Sequence, residues 1–175
     1  ETIAAVVDEI RHDPTVNASA YTAVDRAESE EALATTVNGT AVGELAEAAR
    51  RNRALFVHYS TDYVFNGNAT SPYREEDATD PQNAYGRSKL AGERALAEVG
   101  GDWLAFRTAW VYGVRGRNFM RTIANASLER EFLRVVSDQH GTPTAARTIA
   151  DVSAHAIREA LLQRRINATP SGIYH

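Results

Sequence analysis

Short runs rich in β-forming residues alternate along this chain with longer runs of helical spacing, and that alternation constrains the fold more than any other feature. PTVNAS (14–19), ALFVHYS (54–60), WLAFRTAWVY (103–112) and FLRVVS (132–137) read as strands, and GIYH (172–175) begins another. Pro14 takes a first strand position, where a missing N–H is tolerable. Residues 2–11, 29–51, 83–99, 118–130 and 148–165 read as helices. The alanine-rich run 29–51 carries Leu33, Val37, Leu45 and Ala48 on one face, weakened by Gly39 and Gly43. AYTAVDRAESE (20–30) and the long stretch 66–83 read as polar loops. Strand–helix alternation predicts an α/β fold, a parallel sheet with helices on both faces, and 175 residues suffice for one domain with a sizeable core.

In such sheets ligands bind beyond the carboxyl ends of the strands. Four polar clusters lie there: NASAYT, STDY, WVYG and DQHGTPT. Polar loops follow strands in any α/β protein, so no single cluster decides; the four together point to a site. A net charge of −4 is too mild to call for nucleic acid or an acidic membrane as partner. Cysteine is absent, which removes disulfides and thiolate chemistry, and the scattered histidines form no zinc-type pair, so no metal is expected. No apolar run is long enough to span a bilayer. The opening ETIAAVVDEI reads as an amphipathic helix and lacks an initiator Met, so the chain is expected to begin inside a longer protein.

Chemistry enters at AYGRSKLAGE (84–93). Lys89 is the only lysine; every other basic residue of the 19 Lys plus Arg is arginine. On a helix Tyr85 and Lys89, four apart, share a face. An ammonium near a phenol lowers its pKa, and a tyrosine so tuned can exchange a proton with a carbonyl or hydroxyl oxygen. A compact amine suits that role better than arginine's planar fork. The pair can also arise by chance, so a third group is needed. Ser60 and Thr61, closing a hydrophobic strand, offer hydroxyls at the crevice.

Thr61, Tyr85 and Lys89 resemble the Ser/Thr–Tyr–Lys set of the short-chain dehydrogenases/reductases. Longer strings sharpen the likeness: VNASAYTAVDRAE (16–28), HYSTDYVFNG (58–67), SPYREEDATDPQNAYGRSKLAGE (71–93), FRTAWVYG (106–113), GRNF (116–119) and VVSDQHGTPT (135–144). Together they are similar to the dTDP-4-dehydrorhamnose reductase family of that superfamily. The resemblance implies a partial Rossmann-like, doubly wound parallel sheet, the second half of an NAD(P)-binding fold. It implies reduction of the C4 keto group of dTDP-4-dehydro-L-rhamnose, with NADPH (or NADH) as cofactor, a nucleotide sugar as substrate, cytoplasmic location and room for a homodimer.

By the same resemblance Tyr85 is the proton donor, Lys89 tunes it and binds the nicotinamide ribose, and Thr61 holds the keto sugar. Ala18, Ser19 and Tyr21 look like the family's cofactor-backing turn. Tyr63 and Trp110 resemble residues lining the sugar pocket, although Trp110 reads equally as a rim tryptophan. Asn118 and Phe119 would approach the nucleotide end, with Arg121 offsetting pyrophosphate charge. Asn38 matches an asparagine that supports the lysine through water. Gln139 and Thr144 belong to a loop near the pocket, and REED (74–77) reads as a solvated loop and cap.

The family's GxxGxxG turn does not occur in this chain. The N-terminal βαβ and a C-terminal substrate segment are therefore expected to be missing. PTVNAS would stand at a sheet edge, and this chain alone is expected to hold NADPH poorly and to associate. Two alternatives stay open: another sugar-nucleotide reductase or epimerase of the superfamily, and a non-catalytic regulatory subunit like the β subunit of methionine adenosyltransferase.

Overall fold

Thr2 starts the first helix: its hydroxyl accepts the Ala5 amide at 3.3 Å and caps α1 (Ile3–Ile10). A computed structural model describes residues 2–166, 169 and 171–175. After α1 come β1 (Thr15–Asn17), α2 (Val24–Ala27), α3 (Glu31–Thr35), a π turn at Thr36–Thr40, and α4 (Ala41–Arg51). β2 (Phe56–Thr61) runs into a 3₁₀ turn at Asp62–Val64, and α5 (Ala84–Val99) is capped by Asn83, whose side chain accepts the Gly86 amide at 2.7 Å. β3 (Trp103–Thr108), β4 (Val111–Tyr112), α6 (Phe119–Glu129), β5 (Thr144–Ala145), α7 (Ala146–Arg164) and β6 (Gly172–Tyr174) complete the order.

The residues divide into two compact units: Glu1–Arg107 with Ile157–His175, and Thr108–Ala156. The first holds a four-stranded sheet in the order β1-β2-β3-β6. β1 pairs in parallel with β2, Asn17 opposite His58, and β3 pairs in parallel with β6. The expected parallel α/β sheet is present, and β1 stands at its edge. Val42, Ala46, Ala49, Phe56, Leu96 and Ala105 form the main core between sheet and helices, with Leu45, Val99, Trp103 and Ile173 packed against it. Small residues let α5 approach closely: a Cβ on Gly92 would lie 2.3 Å from the Asn38 carbonyl oxygen. The second unit holds the parallel pair β4–β5 and α6.

Four expectations are corrected. FLRVVS (132–137) forms no strand; Phe132, Val135 and Val136 are exposed, so the run lacks the covered face that strand formers need. The strand 103–112 breaks at Ala109–Trp110, where Trp110 turns left-handed at φ 44°, and its far end pairs with β5 instead. The loop 20–30 contains α2. The helix expected over 29–51 starts only at Glu31 and is broken by the π turn around Asn38, which packs against Gly92.

Candidate active site

The end of β2 and the first turn of α5 are locked together by close packing. A Cβ on Gly86 would lie 2.2 Å from the Tyr63 carbonyl oxygen, so glycine there lets the 62–64 turn lie on the helix. The Tyr63 and Tyr85 rings then meet edge to face at 5.7 Å. The Thr61 hydroxyl accepts the Tyr63 amide at 3.2 Å, donates to Asp62 Oδ1 at 3.1 Å, and is near enough to the Tyr85 phenol to influence its ionisation. Three of the expected residues, Thr61, Tyr63 and Tyr85, are thus in one cluster.

Burial pushes the Tyr85 phenol above its usual range, the Asp62 and Tyr63 charges add to that, and the Thr61 hydroxyl opposes it. Burial likewise raises the Asp62 carboxyl and, with Asp62 and Asp25 beside it, the Tyr63 phenol. The spacing of Tyr85 and Lys89 led us to expect that the lysine lowers the phenol. Instead the Lys89 side chain is engaged elsewhere. It is only 2% exposed, its Nζ donates to the Tyr59 carbonyl at 2.6 Å, and it lies 3.4 Å from His58 Nε2. Burial lowers the amine to about 8, against a pull from Glu93 that favours the charge. His58 is pushed down to about 3, first by burial and then by the Lys89 charge, while the Asn17 backbone opposes in part.

The cofactor-backing residues follow β1. Ala18 and Ser19 are exposed. Ser19 donates its amide at 3.1 Å and its hydroxyl at 2.7 Å to Asn17 Oδ1. Tyr21 is clamped by Asn38, whose Oδ1 accepts its amide at 2.9 Å and whose Nδ2 donates to its carbonyl at 3.0 Å and to Ser88 Oγ at 2.9 Å. The Tyr21 hydroxyl donates to Glu30 at 2.7 Å. Asn38 therefore ties the loop after β1 to α5 directly.

In the second unit, the Trp110 indole lies on Gly141, where a Cβ would sit 2.5 Å from Trp110 Cε2, and the tryptophan stays 41% exposed. Asn118 spends its side chain on structure: Oδ1 accepts the Arg121 amide at 3.0 Å and Nδ2 donates to the Gly113 carbonyl at 2.7 Å. Phe119 is exposed. The Arg121 guanidinium donates to the Val114 carbonyl at 2.7 Å. Gln139 is exposed, and the Thr144 hydroxyl donates to the Thr142 carbonyl at 3.0 Å. In REED, the Arg74 amide donates to Asp77 at 2.8 Å, a turn cap.

The family profile described as RmlD substrate binding domain matches residues 1–175. The chain belongs to the RmlD substrate-binding-domain family. It is 57% identical over 175 residues to a dTDP-4-dehydrorhamnose reductase of Burkholderia thailandensis, covering 100% of this chain and 59% of that protein. Among solved structures, a dTDP-4-dehydrorhamnose reductase of Clostridium acetobutylicum superposes with TM-score 0.90 at 37% identity, over 98% of this chain and 58% of that one. The enzyme of that name from Bacillus anthracis, in complex with NADP, gives 0.85 at 37% identity, over 98% and 58%. This RmlD-family chain thus spans little more than half the length of its relatives.

Sequence reasoning missed several polar residues of this RmlD-family site. Glu93 is buried with Arg107, which donates to its two carboxylate oxygens at 2.9 and 2.7 Å, and Ser60 donates to the same carboxylate. His58 and Asn17 meet at 3.2 Å inside the sheet. Only Glu93 carried a signal, one helical turn beyond Lys89. His58, at an inward position of a strand, meets Asn17, and Arg107 meets Glu93, each across elements that spacing does not connect.

Proposed function

We propose that this chain is the acid–base portion of an NADPH-dependent reductase that acts on the C4 keto group of dTDP-4-dehydro-L-rhamnose. One observation carries the reading: a half-buried tyrosine, held protonated by its surroundings and packed edge to face on Tyr63 at 5.7 Å, stands beside a hydroxyl at the carboxyl end of the sheet. A phenol of raised pKa keeps its proton at neutral pH and can give it to an oxygen that gains charge. Thr61 can hold that oxygen beside Tyr85.

Ala18 and Ser19, small and exposed after β1, fit the close approach of a dinucleotide. Bound NADPH supplies the hydride that reaches C4. Tyr85 supplies the proton to the C4 oxygen, and Thr61 orients that oxygen. The same reading makes the protein a cytoplasmic enzyme that can pair as a homodimer; no helix of the described residues is long and apolar enough to cross a membrane.

The test is NADPH consumption by the complete protein with dTDP-4-dehydrorhamnose, beside Tyr85→Phe. Turnover lost by about 10²-fold or more in a folded variant is the expected result. No turnover in a folded wild type that binds NADPH would sink the reading.

A further inference from the structure

Glu28 follows α2 and has no part in the proton transfer proposed above, yet its side chain reaches α5. Its Oε1 accepts the Ala84 amide at 2.7 Å, across 56 positions of sequence. Ala84 is the first residue of α5, directly before Tyr85, and it is fully buried. The first amides of a helix have no partner within it. Here Asn83 Oδ1 accepts the Gly86 amide at 2.7 Å, and Glu28 accepts that of Ala84. A carboxylate also suits this positive end of a helix.

The other side of the same turn is held as well. The Tyr85 carbonyl accepts the Ser88 hydroxyl at 2.7 Å, and Ser88 Oγ accepts from Asn38 Nδ2 at 2.9 Å. Asn38 in turn clamps Tyr21, two residues beyond Ser19. Ala27 and Ala34 pack on Ala84, with Tyr21 and Tyr85 against them. Residues 21–38 thus grip the turn that carries Tyr85 at the amide before it and at its own carbonyl. The ring hangs from that backbone by staggered side-chain torsions, so the place of the phenol beside Thr61 follows from where the turn lies.

We propose that Glu28 is a positioning residue for Tyr85: by accepting the Ala84 amide it seats the first turn of α5 on the segment that follows β1, and so sets where the phenol stands. Arg87 does not account for the contact. Its guanidinium lies 3.9 Å from Glu28 and is taken up by Glu31 at 2.7 and 2.9 Å. The Glu28 side chain is 55% exposed, so its removal opens no cavity and leaves the fold standing. The functional consequence rests on the reductase reading: a displacement of about 1 Å at a reacting group can cost about 10²-fold in rate, and a turn released on one side shifts by part of that.

The experiment compares Glu28→Ala, Glu28→Gln and Glu31→Gln in the complete protein, by amide hydrogen exchange and by steady-state rates with NADPH and dTDP-4-dehydrorhamnose. In Glu28→Ala the Ala84 amide is expected to exchange about tenfold faster or more. Its kcat is expected to fall about tenfold, with KM for NADPH within about twofold of wild type. Glu28→Gln, whose amide oxygen still accepts, should restore both. Glu31→Gln releases Arg87 and should leave both unchanged. Unaltered Ala84 exchange in Glu28→Ala overturns the proposal, and so does faster exchange with unaltered kcat. An equal loss of kcat in Glu31→Gln also overturns it, because the effect would then belong to the docking of α3. Exchange needs no turnover, so an inactive wild type sinks the reductase reading while the exchange rates alone decide whether Glu28 holds the turn.

Discussion

Arg107 closes on Glu93 through both carboxylate oxygens, at 2.9 and 2.7 Å, with both side chains almost sealed from solvent. The pair joins β3 to the helix that carries Tyr85 and Lys89, and the Arg107 guanidinium also lies 4.8 Å from the centre of the Phe65 ring. A buried pair of this kind gives modest net stability while intact, but removal of one partner leaves an uncompensated charge. Glu93→Ala is therefore expected to destabilise the protein by about 3–5 kcal/mol, read as a fall in the urea midpoint at unchanged m-value. A loss below about 1 kcal/mol would show the pair to be solvated.

Lys89→Arg keeps the charge and is expected to cost about 10²-fold or more in kcat. Lys89 is 2% exposed, between a carbonyl and an imidazole, with no room for a planar fork, and a guanidinium cannot release its proton. Steady-state rates of the complete protein in the proposed reaction check this; turnover within about twofold of wild type would remove the reason for a lone lysine.

Acid should weaken the fold through His58. Its folded value of about 3 lies below the ordinary value of 6.5, so the unfolded chain binds the proton more tightly. The contribution is complete above about 6.5 and is lost as pH falls toward about 3. Unfolding free energy measured across that window should fall more steeply in wild type than in His58→Gln. Equal slopes would mean that the imidazole is not sealed off.

Gly141→Ala tests the seat of Trp110. A Cβ there would lie 2.5 Å from Cε2 and 2.6 Å from Nε1 of the indole, whose backbone is already left-handed at φ 44°. The ring must shift, at a cost of about 1–3 kcal/mol. With Trp103 replaced by Phe, the Trp110 emission should move toward that of a freer, wetter indole. An unchanged spectrum would show that the ring has slack.

Much of this was legible in local patterns. Helical spacing puts Tyr85 and Lys89 on one face, because 3.6 residues per turn needs nothing beyond α5 itself. Alternating strand and helix runs point to a parallel sheet, because parallel neighbours need a long crossover and a helix supplies it. Thr61 at a strand end is legible for the same reason. FLRVVS misled because β propensity records fitness for a covered face, and nothing covers it among the described residues.

Tertiary structure alone decided where those side chains point and what charge they hold. Lys89 meets His58 and Tyr59 across 30 residues or more of chain, Glu93 meets Arg107 from another strand, and Asn38 clamps Tyr21 from 17 residues away. Periodicity is set by bonds along the chain. Burial and hydrogen-bond partners are set by which distant segments the core brings together, and it is they that raise the Tyr85 phenol and lower the Lys89 amine.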